Sequence, residues 1–243
     1  MYNLGMVIPT YNEKDNIINI ITKVVTDMKD KGINIVMLVM DDSSPDGTAD
    51  LVREYINTHS YDFLTIELKV RAGKQGLATA YTQGFRYLID NYDPTYIMSM
   101  DADMSHDPKY IAPMLSKMEN ENLDLMVGSR YVQGGGVVNW GPQRKLISRF
   151  GSLYAKSILG SSLNDMTGGF NIYRSSVIGT INLNEIKAHG YLFNIEMKHR
   201  MNKLTTKIAE HPIVFVDRVN GKSKMSRMII LEAFTGVWGL RQK

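Results

Sequence analysis

From residue 4 to residue 128 the chain alternates short apolar runs with longer amphipathic stretches, and this alternation constrains the fold more than any other feature. Strands that alternate with helices pair into a mostly parallel sheet, because each helix carries the chain back to the same edge. The sequence therefore predicts an α/β fold with a mostly parallel, Rossmann-like sheet flanked by helices. Strands are predicted at residues 4–8, 33–40, 64–70, 96–101 and 123–128, and helices at residues 13–28, 48–57, 76–89 and 108–119.

The composition excludes several other kinds of protein. The 243 residues include no cysteine, which rules out disulfides, thiolate zinc sites and cysteine nucleophiles. A formal net charge of +3 gives no reason to expect nucleic acid as a partner. No run reaches the roughly 18 uninterrupted apolar residues that span a bilayer, and the N-terminus lacks the basic start and long apolar core of a signal peptide. We expect any membrane contact to be peripheral.

The chain has no internal repeat and no low-complexity linker, so we predict a single domain over residues 1–243. Residues 1–130 carry the regular alternation, and residues 131–227 follow a looser pattern that begins with a run of three glycines. Residues 228–243 form an apolar tail, too short to span a membrane, that could lie in the interface or pack on a partner.

The stretch at residues 143–159 is basic and amphipathic. An interfacial helix and a core-packing helix are both compatible with this pattern, because long basic side chains can extend their charges into water beside an apolar face. The apolar side consists of Leu146, Ile147, Phe150, Leu153, Tyr154 and Ile158.

Two carboxylates, Asp101 and Asp103, end the fourth predicted strand. Alternate side chains of an extended backbone share a face, so both can reach one divalent cation. A cation held by two carboxylates keeps positions open for phosphate oxygens, as Mg²⁺ does in phosphate-handling sites. A solvated acidic turn is the alternative. Asp41 and Asp42 follow another strand, and we predict that both acidic pairs converge on the rim where open α/β sheets bind ligands.

Eight short segments occur together in an order and spacing that resemble the dolichyl-phosphate mannosyltransferases, which are inverting nucleotide-sugar glycosyltransferases with a GT-A fold. The resemblance extends from Met6 to Lys224, and the block from Gly128 to Lys156 together with the last segment resembles enzymes with a polyprenyl-phosphate acceptor. The segments are IPTYNE, MDDSSPDGT, KQGLATA, MDADMSHDP, GSRY, QRKLIS, TGGFNIYR and DRVNGKSK.

The resemblance implies a nucleotide-sugar donor site. The first loop would surround the base and ribose, Asp42 would accept hydrogen bonds from the base, and a late basic pair would close over the diphosphate. A carboxylate can bind either guanine or uracil N–H groups, so Asp42 does not fix the nucleotide. The implied donor-binding residues are Pro9, Tyr11, Glu13, Met40, Asp42, Asp101, Ala102, Asp103, Arg218 and Lys224.

The resemblance also implies a Mg²⁺ or Mn²⁺ site held by Asp101 and Asp103, with Asp103 preferred as the direct ligand. Some family members have Gln two residues further on as another ligand. Here Ser105 stands at that position, a weaker ligand that water could replace. We predict that His106 is a structural turn residue, because Mg²⁺ prefers oxygen ligands.

Arg130 and Arg144 match the arginines that the resemblance assigns to the acceptor phosphate, and Ser148 lies one helical turn beyond Arg144. The planar guanidinium suits this role because it binds phosphate oxygens bidentately and keeps its charge. The implied catalytic residues are Asp103, Arg130 and Arg144. Asp165 stands where many relatives contact the donor sugar, although a turn that caps a strand explains it as well.

The resemblance implies transfer of mannose from GDP-mannose to dolichyl or another polyprenyl phosphate. Such a nucleophile is already anionic, so the chemistry needs positioning and charge stabilisation and no general base. We expect peripheral attachment to the cytosolic face of the endoplasmic reticulum membrane, with small membrane subunits as candidate anchors. A polyprenyl-phosphate glucosyltransferase that uses UDP-glucose and a non-catalytic nucleotide-binding subunit stay open as alternatives. A nucleotidyltransferase is disfavoured, because the first loop lacks a basic phosphate grip.

Overall fold

The computed structural model describes residues 2–186, 188, 190–217 and 227–241. This part of the chain contains nine β-strands and eight α-helices. The strands are β1 (Leu4–Thr10), β2 (Ile35–Asp41), β3 (Leu64–Val70), β4 (Tyr96–Ser99), β5 (Leu125–Ser129), β6 (Gly136–Val138), β7 (Asn171–Arg174), β8 (Ile208–Pro212) and β9 (Val214–Val216). The helices are α1 (Ile17–Met28), α2 (Thr48–Thr58), α3 (Leu77–Tyr92), α4 (Ile111–Asn120), α5 (Pro142–Leu159), α6 (Ser175–Ile178), α7 (Gly190–Leu204) and α8 (Arg227–Arg241).

Seven of these strands form one sheet in the order β3-β2-β1-β4-β7-β5-β8. Every neighbouring pair is parallel except the two that involve β7, which runs antiparallel to both β4 and β5. Strands β6 and β9 form a separate parallel pair. The prediction of an α/β fold with a mostly parallel sheet is confirmed.

The strand order reverses at β1. From β1 the chain proceeds to β2 and β3 on one side, and it then returns to pair β4 with the other side of β1. The loops that follow β1 and β4 diverge at this switch point, and ligands of open α/β sheets bind there, outside the carboxyl ends of the strands. The predicted acidic motifs follow β2 and β4, so the topology brings both to the expected ligand crevice.

The sheet separates two apolar layers. One layer contains side chains of α1, α2 and α4, and the other contains side chains of α3, α5, α7 and α8. Strand β2 is buried along its whole length, as its uninterrupted apolar run predicts for a strand covered on both faces. Its side chains alternate between the layers, with Leu38 in one and Val39 in the other.

Element boundaries differ from the predictions mainly at the motif loops. Helix α1 begins at Ile17 and not at residue 13, because residues 13–16 form a turn in which Glu13 O accepts the N–H groups of Asn16 and Ile17. Strand β4 ends at Ser99 and not at residue 101. The acidic pair of the fourth predicted strand therefore lies in a loop, and the argument that its two side chains share a strand face is wrong.

The second half contains elements that the sequence did not predict. Strand β7 enters the middle of the sheet between β4 and β5. Helix α8, within the predicted apolar tail, packs on α5 and α7 of the same chain, with Val237 and Leu240 buried and Phe234 O accepting a hydrogen bond from the Tyr154 hydroxyl at 3.0 Å. Among the described residues, no helix combines the length and apolar character that crossing a membrane requires.

Candidate active site

A cleft of about 410 Å³ opens at the switch point between β1 and β4. Its walls come from the loops after β1, β2 and β4, from the segment before β7 and from the first turns of α7. The predicted site residues that line it are Pro9, Tyr11, Glu13, Asp42, Asp101, Ala102, Asp103, Arg130 and Arg144. Residues that line it without having been predicted include Lys74, Trp140, Thr167, Gly168, Gly169, Tyr191, Asn194 and Phe215.

The acidic pair after β4 is held by its neighbours. The Tyr81 hydroxyl of α3 donates a hydrogen bond of 2.8 Å to Asp101 Oδ1, and the Asp101 side chain is 35% exposed toward the cleft. Asp103 is almost buried, and its Oδ1 accepts the backbone N–H and the hydroxyl of Ser105. Two oxygen-ligand side chains thus lie in the same cleft wall, as a hard divalent cation requires.

Ser105 is the third residue that the resemblance implies as a metal ligand. It is buried, it does not line the cleft, and its hydroxyl is turned onto the Asp103 carboxylate. In this structure Ser105 holds Asp103, and its role as a metal ligand stays a prediction. Within the described ranges no group of three or more His, Asp or Glu side chains could hold a metal, so a bound cation would need ligands from a substrate or from water.

His106 is a structural residue of the same loop. Its Nδ1 accepts the backbone N–H of Asp101 at 3.1 Å, and its ring packs against Phe170 and Phe215. Complete burial lowers the pKa of His106 below 6.5, although Asp101 and Asp103 oppose this shift. The ring is therefore neutral at pH 7, and it fixes the loop on which the carboxylates lie.

Asp42 lies at the other acidic position of the rim and is tied to a loop and an arginine. Its Oδ2 accepts the N–H groups of Gln75 at 3.1 Å and Gly76 at 2.9 Å, and its Oδ1 pairs with Arg71. Arg71 also donates to Gly76 O and to the Thr79 hydroxyl. This network holds the 73–76 segment at the cleft, and Asp42 has a structural role in addition to any contact with a base.

Met40 is a predicted donor-binding residue whose side chain the structure places outside the cleft. Its side chain is buried among the apolar residues below the cleft and does not line it, because β2 directs position 40 toward α3, where Gly84 leaves room for it. Tyr11 does line the cleft, and the Lys74 ammonium lies 4.3 Å from the centre of its ring. Lys74 therefore adds a positive charge to the end of the cleft that Tyr11 lines.

Arg130 is held by a buried carboxylate. Its Nε and one terminal nitrogen each bind an oxygen of Asp165 at 2.7 Å, and its backbone N–H binds the same carboxylate at 3.0 Å. Burial alone would raise the pKa of Asp165, but the charge and hydrogen bonds of Arg130 outweigh it and hold that pKa well below its usual 3.8. Asp165 is fully buried behind Arg130 and does not line the cleft, so it supports this wall of the cleft from below.

Lys198 supports the same segment from α7. Its ammonium is fully buried and donates to Asp165 O at 2.8 Å and Gly168 O at 2.7 Å. Burial lowers the pKa of Lys198 to about 8, with Asp165 opposing the shift. These contacts fix the segment that precedes β7 as the floor of the cleft.

Arg144 has a different environment from Arg130. One terminal nitrogen binds Asp217 at 2.7 Å, and the guanidinium lies 4.1 Å from the centre of the Trp140 ring. About a quarter of its side chain is exposed. Ser148, one turn further along α5, accepts the Tyr131 hydroxyl at 2.7 Å and does not line the cleft. Arg144 therefore has the freer charge of the two predicted arginines.

A second, apolar cavity of about 50 Å³ adjoins the cleft between α5, α7 and α8. Ser148 lines this cavity, together with apolar side chains such as Ile147 and Phe234. Four side chains border both spaces, so a molecule could extend from one into the other. These four are Trp140, Arg144, Thr167 and Tyr191.

Two predicted residues, Arg218 and Lys224, lie outside the described residues. Of the predicted residues that are described, the structure brings the strand-end carboxylates and both arginines to one cleft. The sequence reasoning missed Arg71, Trp140, Asn194 and Lys198. Trp140 is directly followed by the Gly-Pro at which α5 begins, which was a usable signal. The other three residues reach the site through pairings between distant segments.

The sheet order and the crevice at the switch point define a GT-A glycosyltransferase fold. The structure is similar to glucosyl-3-phosphoglycerate synthase from Mycobacterium tuberculosis in complex with Mn²⁺ and UDP-glucose, with a TM-score of 0.69 at 15% identity, over 99% of this chain and 79% of that chain. The complex of that synthase with UDP gives a TM-score of 0.68 at 14% identity, over 99% and 80%. At this identity the likeness shows the fold alone.

The chain belongs to glycosyl transferase family 2, whose sequence pattern matches residues 6–181. It is 39% identical over 237 residues to undecaprenyl-phosphate mannosyltransferase from Micrococcus luteus, which covers 96% of this chain and 93% of that protein. It is 36% identical over 239 residues to polyprenol monophosphomannose synthase from Mycolicibacterium smegmatis, which covers 97% and 86%. The family resemblance that the eight segments indicate is therefore confirmed.

Proposed function

We propose that this protein transfers mannose from GDP-mannose to the phosphate of a polyprenyl phosphate, with inversion at the anomeric carbon and release of GDP. The two relatives support the sugar and the lipid class, since their names specify undecaprenyl-phosphate mannosyl transfer and polyprenol monophosphomannose synthesis. GDP as the nucleotide rests on the motif resemblance and is the finer part of the proposal.

The distribution of charge in the cleft is the observation that carries this proposal. The carboxylates that line the described cleft, Glu13, Asp42, Asp101 and Asp103, all follow β1, β2 or β4. The end that continues into the apolar cavity is lined by aromatic, polar and arginine side chains, and no described lining residue there is a carboxylate. A hydroxyl acceptor needs a general base at this point, whereas a phosphate monoester is already anionic. The arrangement supports an acceptor that is both anionic and apolar.

The donor diphosphate belongs at the acidic end. Asp101 and Asp103 would hold Mg²⁺ or Mn²⁺, which neutralises the diphosphate as it leaves. The oxygen donors, the exposure of Asp101 to the cleft and the two hydrogen bonds from Ser105 to Asp103 fit such an ion. Pro9, Tyr11, Glu13 and Asp42 are assigned to the nucleoside, and Arg218 and Lys224 to the diphosphate.

The acceptor phosphate is assigned to Arg144 and Arg130, with the first isoprene units in the apolar cavity. Arg144 is partly exposed and holds Asp217 with one nitrogen, so a phosphate dianion can compete for its guanidinium. The charge of Arg130 is balanced by Asp165, so Arg130 contributes chiefly a fixed, positively charged surface at this end of the cleft. Ser148 lies at the cavity side of Arg144.

The lipid and its membrane are finer parts of the proposal. The relatives named above come from bacteria, and their names specify undecaprenyl or polyprenyl lipids. They lend no support to dolichyl phosphate, to the endoplasmic reticulum or to anchoring subunits, which stay predictions of the motif resemblance. We propose peripheral binding to the membrane that carries the lipid phosphate.

A transfer assay tests the function. The purified protein is incubated with radiolabelled GDP-mannose, GDP-glucose, UDP-glucose or UDP-galactose, with undecaprenyl or dolichyl phosphate, and with Mg²⁺, Mn²⁺ or EDTA. We expect label in the lipid fraction with GDP-mannose only, and none with EDTA. Label from UDP-glucose alone would identify a glucosyltransferase, and no transfer from any donor with retained nucleotide binding would identify a non-catalytic subunit. Comparison of the two lipids decides the acceptor preference.

A further inference from the structure

Asn194 lines the cleft and has a buried amide oxygen without a hydrogen-bond partner among the described residues. It lies in the second turn of α7, is 6% exposed and lines the cleft. Its Nδ2 donates one long hydrogen bond of 3.4 Å to Thr167 O, and its Oδ1 has no hydrogen-bond partner among the described residues. A buried acceptor without a partner is destabilising, so such an atom calls for a ligand or a water.

The surface in front of this amide is shaped for a small ligand. Gly169 forms the adjacent floor, and a Cβ added there would meet the Asn194 amide at 3.5 Å and His106 Cε1 at 3.6 Å. The carbonyls of Gly168 and Gly169 turn away from the cleft. Lys198 donates a hydrogen bond to Gly168 O, and Ser99 donates one to Gly169 O. The floor therefore leaves room for a ligand, and these two carbonyls do not compete with the Asn194 oxygen as hydrogen-bond acceptors.

The neighbours of this surface place it beside the expected diphosphate site. His106, which borders Gly169, also accepts the backbone N–H of Asp101. Thr167, which receives the Asn194 hydrogen bond, borders the apolar cavity as well. The amide thus lies between the acidic pair and the assigned acceptor end, where the transferred group must be.

The chemistry of the amide selects the kind of ligand. An amide oxygen accepts hydrogen bonds, so it favours a hydroxyl or N–H donor and disfavours a phosphate oxygen. An amide also has no proton to take or give near neutral pH, so Asn194 cannot serve as a general base. A sugar hydroxyl is the donor that a nucleotide-sugar substrate brings to this position.

We propose that Asn194 Oδ1 accepts a hydrogen bond from a hydroxyl of the transferred hexose and is a specificity-determining residue for the donor sugar. This inference rests on the proposed function in that it requires a nucleotide-sugar donor, but it does not depend on which base or which hexose is used.

Calorimetric titrations in the presence of Mn²⁺ test this inference. The quantity compared is the affinity for a nucleotide sugar divided by the affinity for its nucleoside diphosphate. GDP and GDP-mannose are titrated into the wild type, Asn194→Ala and Asn194→Asp, and the pair UDP and UDP-glucose is run in parallel. Asn202→Ala is the matched control, because Asn202 lies on the same helix, donates to Ser161 and does not line the cleft. Unchanged affinity for the nucleoside diphosphate shows that a variant is folded.

We expect Asn194→Ala to lower the affinity for the nucleotide sugar relative to its nucleoside diphosphate by roughly three- to tenfold, the size of one neutral hydrogen bond. Asn194→Asp keeps an acceptor oxygen and should recover most of this ratio, and Asn202→Ala should leave it unchanged. An unchanged ratio in Asn194→Ala, or a loss confined to the acceptor KM in the transfer assay, overturns the inference. If the wild type binds UDP-glucose and not GDP-mannose, the proposed donor is wrong and the same ratio for UDP-glucose decides the role of Asn194. If neither sugar nucleotide binds, the proposed function and the inference fail together.

Discussion

Tyr81 is the residue through which the core fixes the first carboxylate of the acidic pair. Its ring is fully buried between Phe85 and Phe193, and its hydroxyl donates to Asp101. Burial, with the added effect of Asp101, raises the pKa of Tyr81 well above 10, so the hydroxyl keeps its proton at every pH of interest. The carboxylate of Asp101 is thereby held through Oδ1, and Tyr81 leaves Oδ2 unbound.

Replacing Tyr81 by Phe keeps the ring and removes the donor. We expect roughly a tenfold increase in the Mn²⁺ concentration that half-saturates transfer, since partners that orient metal ligands have effects of this size. Tyr173→Phe is the matched control, because Tyr173 is equally buried, in β7, with its hydroxyl near Ser99 and Asn171. Equal Mn²⁺ dependence in both variants would show that Tyr81 serves packing alone.

The Arg130–Asp165 pair makes stability depend on acid. Because the pKa of Asp165 is lower in the folded protein than in the unfolded chain, the unfolded chain binds more protons as the pH falls. The stabilisation is complete above the unfolded pKa of 3.8 and is lost as the pH drops below it toward the folded value. The wild type should therefore lose stability steeply below pH 4.

Asp165→Asn tests this linkage. We expect a flatter dependence of the free energy of unfolding on pH below 4, and a loss of about 3–5 kcal/mol at pH 7, because the variant leaves Arg130 buried without its partner. Urea unfolding at a series of pH values measures both. Asp50→Asn is the control, since Asp50 pairs with Arg53 at the exposed surface. A pH profile parallel to that of the wild type would exclude Asp165 as the titrating group.

At the scale of residues, the sequence indicated which side chains after strands would line the cleft. Asp42, Asp101 and Asp103 were predictable because the carboxyl ends of parallel strands meet at one rim. The partner of Arg130 was not, because Asp165 is 35 residues away and approaches only through the antiparallel entry of β7. Asn194 carried no signal either, since an Asn in a helix is unremarkable until its oxygen is found unpaired.

At the scale of elements, the position of α3 decides where Tyr81 and the 73–76 loop lie. The helix approaches β1 closely at Gly84, where an added Cβ would lie 2.6 Å from Val7 Cγ1. Val7 is fully buried and β-branched, so its side chain has little freedom to move aside. The absence of a side chain at position 84 is therefore a requirement of the fold.

Gly84→Ala should destabilise the protein by about 1–3 kcal/mol through overpacking, although Gly to Ala within a helix normally stabilises. Gly239→Ala in α8 is the comparison, because a Cβ there meets nothing within 4 Å, and we expect it to stabilise by up to about 1 kcal/mol. Chemical unfolding measures both changes. Two stabilised variants would mean that α3 can move away from β1.

The elements of the first half were predictable because strands and helices alternate regularly along the sequence. Strand β3 has the predicted bounds, and α2 differs by one residue at its end. The second half was not, because β7 pairs with strands on both sides that are distant in sequence, and four residues are too few to show a pattern. For α5, the periodicity gave the helix but not the side that would face solvent.

At the scale of the whole molecule, one side of α5 exposes apolar side chains beside the mouth of the apolar cavity. Leu146 is 71% exposed, Phe150 54% and Leu153 57%, so the core-packing alternative does not describe this side. The helix carries Arg and Lys residues and no acidic residue. Exposed apolar side chains with basic neighbours suit the surface of an anionic bilayer, and the cavity would then open toward the lipid phosphate.

Vesicle sedimentation tests this orientation. We expect the wild type to bind vesicles with anionic phosphatidylglycerol more strongly than phosphatidylcholine vesicles, and Leu146→Glu with Leu153→Glu to weaken binding by roughly tenfold or more, since each buried leucine contributes about 1.5–3 kcal/mol. Neither leucine lines the cleft or the apolar cavity described above, so GDP-mannose binding and transfer to a short, water-soluble polyprenyl phosphate should persist. Leu204→Glu, at another exposed leucine at the end of α7, is the control. If the double variant sediments as the control does, another surface meets the membrane; if transfer to the soluble acceptor is lost while the fold is intact, this side of α5 belongs to the acceptor site itself.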